Sequence, residues 1–509
     1  MTQLDHRPTS AGPHVSHSEH RVAPEVAEAV GHALVEALPD FHQSGDFATD
    51  LTPGIGDRLF LEDQLKMLDS VLEGRVVTPE QAEYDSVRAI VPGNYDPKPK
   101  AVIRVANASD VAASLDFARV TGLEVAVRSG GHSGHSSTHT GLVIDLRDLN
   151  GLEIDSIGRT AWAGTGLTAG EVTRAVEKHG LIVGFGDTAS VGIGGITCGG
   201  GIGYLVRKHG LTIDSVVAAE VVIANGDILI ADEKHHADLF WALRGGGGNF
   251  GVVTRWKFRL HPLPSFTGGP LVLPATPEIV SRFVALAEAA PEELSAIASV
   301  MPAPPLPFLP AEVHGKTVLL CMMAYVGESV AAEQAIAPFR ALATPFADLI
   351  APGPYSSVYM EDLGHKPSFS VRSRLMDVLG AVEAAKIIKR VERSSAPMRL
   401  GEIRVLGGAM ARVPADATAF AHRSSRVMFS FIAIYSDPRE QSLHDSWAME
   451  GINQLSEEED RVYVNFLLTD PDERIHAAYP PATWERLRRV KREYDPENLL
   501  RRNRNVLPA

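Results

Sequence analysis

Arg128-Ser129-Gly130-Gly131-His132-Ser133 is the stretch from which the rest of this chain is read. It follows one apolar run, Val125-Ala126-Val127, and precedes another, Leu142-Val143-Ile144. The pattern predicts a histidine held in a tight glycine turn between two strands. Two more glycine-dense stretches follow, Gly192 to Gly203 and Gly245 to Gly251. Glycine lets a backbone approach a ligand closely, because no Cβ intervenes. Three such stretches predict one large, phosphate-bearing ligand wrapped by backbone amides. His132 is the one reactive side chain of the first stretch.

The composition, 45% hydrophobic and 22% charged over 509 residues, is that of a globular protein with room for more than one core. The two cysteines, Cys198 and Cys321, exclude a disulfide framework and point to a reducing, cytoplasmic setting. A formal net charge of -15 disfavours nucleic acid and anionic membranes as partners. No apolar run reaches the ~18 residues that a membrane span needs. Met1 to Pro24 is polar, carries His6, His14, His17 and His20, and lacks an apolar signal-peptide core; it reads as a disordered tail.

Four regions are expected. Residues 1–80 form an N-terminal extension, a tail to about 24 and then helical, with apolar positions such as Val26, Val30, Ala33, Leu34 and Leu38 recurring at helical spacing. Residues 81–267 form an α+β domain that holds all three glycine stretches. There Ala101 to Val105 reads as a strand, Ser109 as a helix cap, and Thr168-Ala169-Gly170-Glu171 as a capping box. Asn225-Gly226 reads as a type I′ hairpin turn. Residues 268–458 lose the glycine clusters and alternate long helices with strands, Val318 to Ala324 and Val427 to Tyr435 among them, as a separate α+β domain would. Residues 459–509 bring a strand, Arg461 to Leu468, then the helix Ala482 to Tyr494 and a loop leading to Asn503 and Asn505.

Gly246-Gly247-Gly248-Asn249-Phe250-Gly251 formally matches a dinucleotide fingerprint, but in the wrong context. That motif needs a strand before it and a helix after it; here the helical run Ala237 to Leu243 precedes and the strand-like Val252 to Phe258 follows. His132, His135 and His139 could ligate a metal, as in a metal-dependent hydrolase. Their Gly/Ser-rich loop offers no carboxylate before Asp145 to support such a site, so no metal is expected.

Taken together, these segments resemble the FAD-linked oxidases of the p-cresol methylhydroxylase and vanillyl-alcohol oxidase superfamily. More narrowly, the chain is similar to the berberine-bridge-enzyme-like branch, which includes bacterial hydroxynicotine and oligosaccharide oxidases. The resemblance rests on Val127 to Ser133, Val191 to Gly195, Cys198 to Tyr204, Asp238 to Thr254, Tyr463-Val464-Asn465-Phe466 and Tyr494 to Leu499. It implies a two-part FAD-binding domain with an inserted α+β substrate domain, acting on a small organic alcohol, amine or sugar and passing electrons to dioxygen with peroxide as product. A dehydrogenase with another acceptor, or a flavin-binding protein without turnover, are the alternatives.

The resemblance also assigns residues. Arg128, Ser129, Gly130, Gly131, His132 and Ser133 would meet the flavin, with His132 bonded covalently to its 8α-methyl carbon and His135 as a substitute. Thr188 stands where some relatives carry a second, cysteine link, which implies a single bond here. Val191 stands where a small side chain leaves room for dioxygen. Gly192, Gly194, Gly195, Gly199, Gly200, Gly201 and Gly203, then Asn249, Gly251 and Val253, complete the flavin cradle, with Asn465, Asn503 and Asn505 along its edge. Tyr463 is the candidate catalytic base. Ser430 stands where other relatives place a stronger one. Neither the substrate nor the oligomeric state is readable.

Overall fold

The computed structural model describes residues 55–360, 366–455, 460–468 and 470–509. The polar tail and most of the expected N-terminal helical region lie outside the described residues.

The first sheet has four strands in the order Arg75–Val77, Ala101–Arg104, Leu142–Asp145, Val125–Arg128. The last three run parallel. Leu142–Asp145 is buried throughout, as parallel strands covered on both faces are. The helix Ala108–Thr121 connects two of these strands. Its cap is Asn107, whose Oδ1 accepts from the Asp110 amide at 2.9 Å, rather than Ser109. Gly122, at φ +68°, ends it. The helix Ile55–Val71 places Leu65 and Leu68 in the same core as Ala101 and Ile103. Residues 55–77, expected in an extension, therefore build part of the first sheet and its core.

The second sheet is antiparallel, in the order Leu152–Asp155, Thr160–Gly164, Val252–Arg259, Val216–Val222, Ile228–Ala231. The expected hairpin joins its last two strands with a different turn. Gly226 is left-handed at φ +90° and Asn225 is not, whereas type I′ requires both. The Gly226 amide bonds to Ile223 O at 2.9 Å and the Ile223 amide to Asp227 O at 3.0 Å, closing a three-residue loop. The capping box at Thr168 and Glu171 forms with both hydrogen bonds.

The third sheet is antiparallel and eight-stranded; Phe266–Pro274, Thr317–Val326, Leu294–Pro302, Met398–Val405, Val427–Tyr435 and Ser368–Met376 are its long strands. One face packs on the helices Pro277–Ala289, Ala381–Glu392 and Gln441–Leu455 through Ile403, Val405, Phe429 and Phe431. The other face turns towards the glycine stretches. Beyond it the chain returns to the second sheet: Val462, Leu467, Leu487, Val490 and Val506 share a core with Trp256 and Phe258. Arg461 to Leu468 is not a strand. Tyr463 leads into a short 3₁₀ turn, Val464–Phe466, with no partner strand among the described residues. The helix after it spans Pro481–Tyr494.

Candidate functional site

The turn 129–133 leaves the carboxyl end of the strand Val125–Arg128, where open parallel sheets place their ligands. Arg128 does not face the ligand side. Its guanidinium is buried, donating to Asp145 Oδ2 at 2.8 Å and to Val87 O at 2.6 Å, and so props the turn from beneath. Burial lowers its pKa, opposed by Asp145.

The first two glycine stretches interlock through their backbones. A Cβ on Gly130 would collide with the Gly192 amide nitrogen, and one on Gly192 with Ser129 Oγ and the Gly130 nitrogen. Ser129 Oγ donates to Thr165 O at 2.5 Å and accepts from the Gly194 amide at 3.3 Å. His132, half-buried, places Nε2 3.0 Å from Ser190 Oγ. Ser133 Oγ accepts from the His135 amide. Gly195 is exposed, and a Cβ there would meet nothing within 4 Å. Thr188 and Val191 are half-buried beside it. The Thr188 hydroxyl donates to Asp187 Oδ1 at 3.1 Å.

The third stretch hangs on the second: the Gly245 and Gly247 amides both donate to Cys198 O at 3.0 Å. Several of the expected ligand residues make framework contacts. Asn249 is buried, donating to Gly246 O and Arg504 O and accepting from the Val506 amide. Val253 lies in the core, and its carbonyl accepts from Thr165 Oγ1. Gly203 abuts the Phe185 carbonyl, and Gly251 packs on Val221.

The C-terminal segment packs against the second and third glycine stretches. Asn465 Nδ2 donates to Ile196 O at 3.0 Å and to the Tyr463 hydroxyl at 2.7 Å, while its side chain fills the space a Cβ on Gly199 would need. Asn503 Nδ2 donates to Gly248 O at 3.0 Å. The amide oxygens of Asn503 and Asn505 are both buried without a protein partner. Such acceptors have room for N–H or O–H donors from a ligand or from water.

Tyr463, the expected proton acceptor, is held by two donors. It is buried, and its hydroxyl already accepts from the Gly201 amide at 2.7 Å and from Asn465. Burial pushes its pKa up to about 12 against those two donors, so the phenol keeps its proton at neutral pH. Its geometry is that of a brace for the Gly200–Gly201 turn, whose φ angles of +139° and +81° need glycine. His135, next to His132, is held neutral: burial, helped by Arg504 and Arg502, lowers its pKa to about 4.

Sequence reasoning passed over Glu402. It lies buried on the strand Met398–Val405, directly opposite Ser430, which in turn faces Ser373. Arg404, on the same face, donates to Glu402 Oε1 at 2.8 Å and to Asp187 Oδ2 at 2.6 Å. Arg404 also lies 5.3 Å over the Phe466 ring. This cluster ties the third sheet to the glycine side just before Thr188. Burial raises the Glu402 pKa and Asp187 adds to it, while Arg404 opposes them. Burial works against the Arg404 charge, yet the two carboxylates outweigh it and hold its pKa above the usual value. The signal was present in the sequence: Leu400-Gly401-Glu402-Ile403-Arg404-Val405 puts two charges on one face of a strand whose other face is apolar. Among the described residues, no three His, Cys, Asp or Glu side chains gather as a metal site, and His139 is exposed. No helix among them is long and apolar enough to cross a membrane.

The FAD binding domain family matches residues 99–232, and the berberine and berberine-like family matches 462–507. (R)-6-hydroxynicotine oxidase of Paenarthrobacter nicotinovorans is 29% identical over 86% of this chain and 97% of its own length. An FAD-linked oxidoreductase of Bacillus subtilis is also 29% identical, with the same coverage. The crystal structure of 6-hydroxy-D-nicotine oxidase from Arthrobacter nicotinovorans superposes with a TM-score of 0.77 at 27% identity, covering 86% of this chain and 98% of that one. A chitooligosaccharide oxidase shares the fold, with a TM-score of 0.75 at 20% identity over 87% and 99% of the two chains.

Proposed function

The chain belongs to the FAD-linked oxidoreductases that carry a berberine-like C-terminal segment, and on that footing we propose that it is an oxidase of a small organic amine or alcohol, with its flavin attached covalently through His132. The glycine stretches and the C-terminal segment, taken together as a flavin groove, suit the cofactor. The floor of that groove is backbone too tightly interlocked at Gly130 and Gly192 to admit a Cβ, and its rim offers two buried amide oxygens without partners. Bound FAD supplies the two-electron redox chemistry; the protein holds, orients and manages protons.

The observation that carries the proposal is the interlocking of the His132 turn with the Gly192–Gly201 turn, and of that turn with Asn465, beside the Glu402 strand, whose Arg404 bonds to Asp187 and Ile202. Ser190 holds the His132 ring through Nε2. Cys198 stays unlinked: its pKa is raised to about 12 by burial, which leaves a thiol and not a thiolate, and Thr188 occupies the second link position. Val191, half-buried, leaves room for dioxygen.

Glu402 takes the role of proton acceptor in place of Tyr463. Oxidation of an amine or alcohol requires loss of a proton from nitrogen or oxygen, and a carboxylate with a raised pKa suits that task near neutral pH. Arg404 keeps Glu402 oriented and Asp187 keeps Arg404 placed.

A panel of amines, alcohols and oligosaccharides, mixed anaerobically with the purified protein, tests the proposal. Bleaching of the flavin's visible absorption by one of them, and its return with peroxide on admitting air, is the expected result. A flavin reduced by a substrate but reoxidised only by a quinone or dye would make it a dehydrogenase.

A further inference from the structure

The fully buried ion pair Lys491–Asp495 has no part in the chemistry above. Lys491 lies on the last helix, and its ammonium directs three hydrogen bonds: to Asp495 Oδ2 at 2.6 Å, Asn249 O at 2.9 Å and Leu500 O at 3.0 Å. Asp495 in turn accepts from the amides of Leu499 and Leu500, both at 2.8 Å. One ammonium thus joins three pieces of chain: the third glycine stretch, the end of the helix and the start of the final segment.

Beyond that junction the chain forms the groove rim. Asn503 donates to Leu500 O, the carbonyl Lys491 holds, and to Gly248 O, one residue before the Asn249 carbonyl it also holds. The Asn249 side chain then fixes Arg504 and Val506 on either side of Asn505. A buried ion pair stabilises a fold no more than a well-packed apolar pair does, and its better-attested use is to fix one arrangement among several. Burial lowers the Lys491 pKa, and Asp495 opposes that shift.

We propose that Lys491 and Asp495 are positioning residues for the cofactor: they set the register of residues 499–506, so that Asn503 and Asn505 present their amide oxygens to the flavin groove. The inference rests on the reading that those two asparagines meet FAD.

The double variant Lys491→Met/Asp495→Asn tests it, made in a His132→Ala background so that FAD exchanges freely. It strands no buried charge, but it takes the donor from the Asn249 carbonyl and leaves one carboxamide oxygen where two carboxylate oxygens accepted the loop amides, so its melting temperature should fall below that of His132→Ala alone. Its FAD affinity should fall by roughly tenfold, the size of one lost hydrogen bond between FAD and a misplaced rim asparagine. The bound flavin's visible band should also change shape, which a loss of stability alone would not cause. Unchanged affinity and spectrum would overturn the proposal. Should that chain not fold, Lys491→Arg keeps the charge paired but cannot reproduce the three-way geometry, and the same two outcomes apply. Asn503→Ala and Asn505→Ala separate the premises. If they weaken FAD binding while the double variant does not, the clamp is wrong and the groove assignment stands; if neither affects FAD, the groove assignment itself fails.

Discussion

The two walls of the groove are built in opposite ways. The glycine wall, 129–133, 190–203 and 245–251, is rich in glycine, and its pieces interlock at Gly130 and Gly192, where no Cβ fits. The sheet wall, around Glu402, Ser430 and Ser373, is built of buried side chains that an antiparallel register brings side by side. Where it interlocks, at Gly130 and Gly192, the first wall admits no Cβ, and the cofactor it suits can be named. The second sets its chemistry through side chains, which is how one fold comes to serve different substrates. Breaking the first wall should cost cofactor; breaking the second should cost rate with the cofactor retained.

The largest expected effect is on the sheet wall. Glu402→Gln should slow anaerobic flavin reduction by roughly 10²–10⁴-fold, the contribution of a positioned acid or base, with FAD content unchanged. In the wild type, reduction should quicken as pH rises through the Glu402 pKa, which burial places above the ordinary carboxylate range, because only the carboxylate accepts a proton. The variant should lose that rise. Stopped-flow reduction across pH measures both, and a variant that keeps the wild-type profile would clear Glu402 of the role.

On the glycine wall, Gly192→Ala forces a methyl into Ser129 and Gly130. Backbone must shift, at a cost of about 1–3 kcal/mol from overpacking, and FAD content should drop with it. Flavin per chain after gel filtration is the readout; a fully loaded variant would mean that the two turns have slack. Tyr463→Phe tests the brace. The Gly201 amide loses its acceptor, so stability should fall by about 1–3 kcal/mol while flavin reduction changes far less than in Glu402→Gln. A reduction defect as large as that of Glu402→Gln would restore Tyr463 as the proton acceptor. The smallest effect belongs to Val191→Ile, which adds one methylene beside the groove. Reoxidation by dioxygen should slow while reduction by substrate is unaffected, and equal reoxidation rates would remove Val191 from the oxygen path.

The same contrast explains what the sequence made legible. Gly130, Gly192, Gly200 and Gly201 are glycine because backbone contact or a positive φ demands it, so a reader meeting them as letters recovers the turn. Asn249 and Arg128 sit in the right motif but have a different task; which way a side chain points depends on Asp145 and on the C-terminal segment, remote in sequence. The strand expected at Arg461 to Leu468 has the right alternation and, among the described residues, no partner strand to pair with. Ser430 lies on the expected strand, but its cross-strand neighbour is Glu402 on the preceding strand, brought opposite by a register that only the fold reveals.

The His132 link can be tested most directly of all. Wild-type protein and His132→Ala should be precipitated with acid, washed, and the pellets redissolved and measured for flavin absorption and fluorescence. Flavin is expected in the wild-type pellet, none in the variant's, and free FAD in the variant's supernatant. Flavin released entirely from the wild type, or retained in the His132→Ala pellet, would contradict the covalent assignment, and the second result would move the bond to His135.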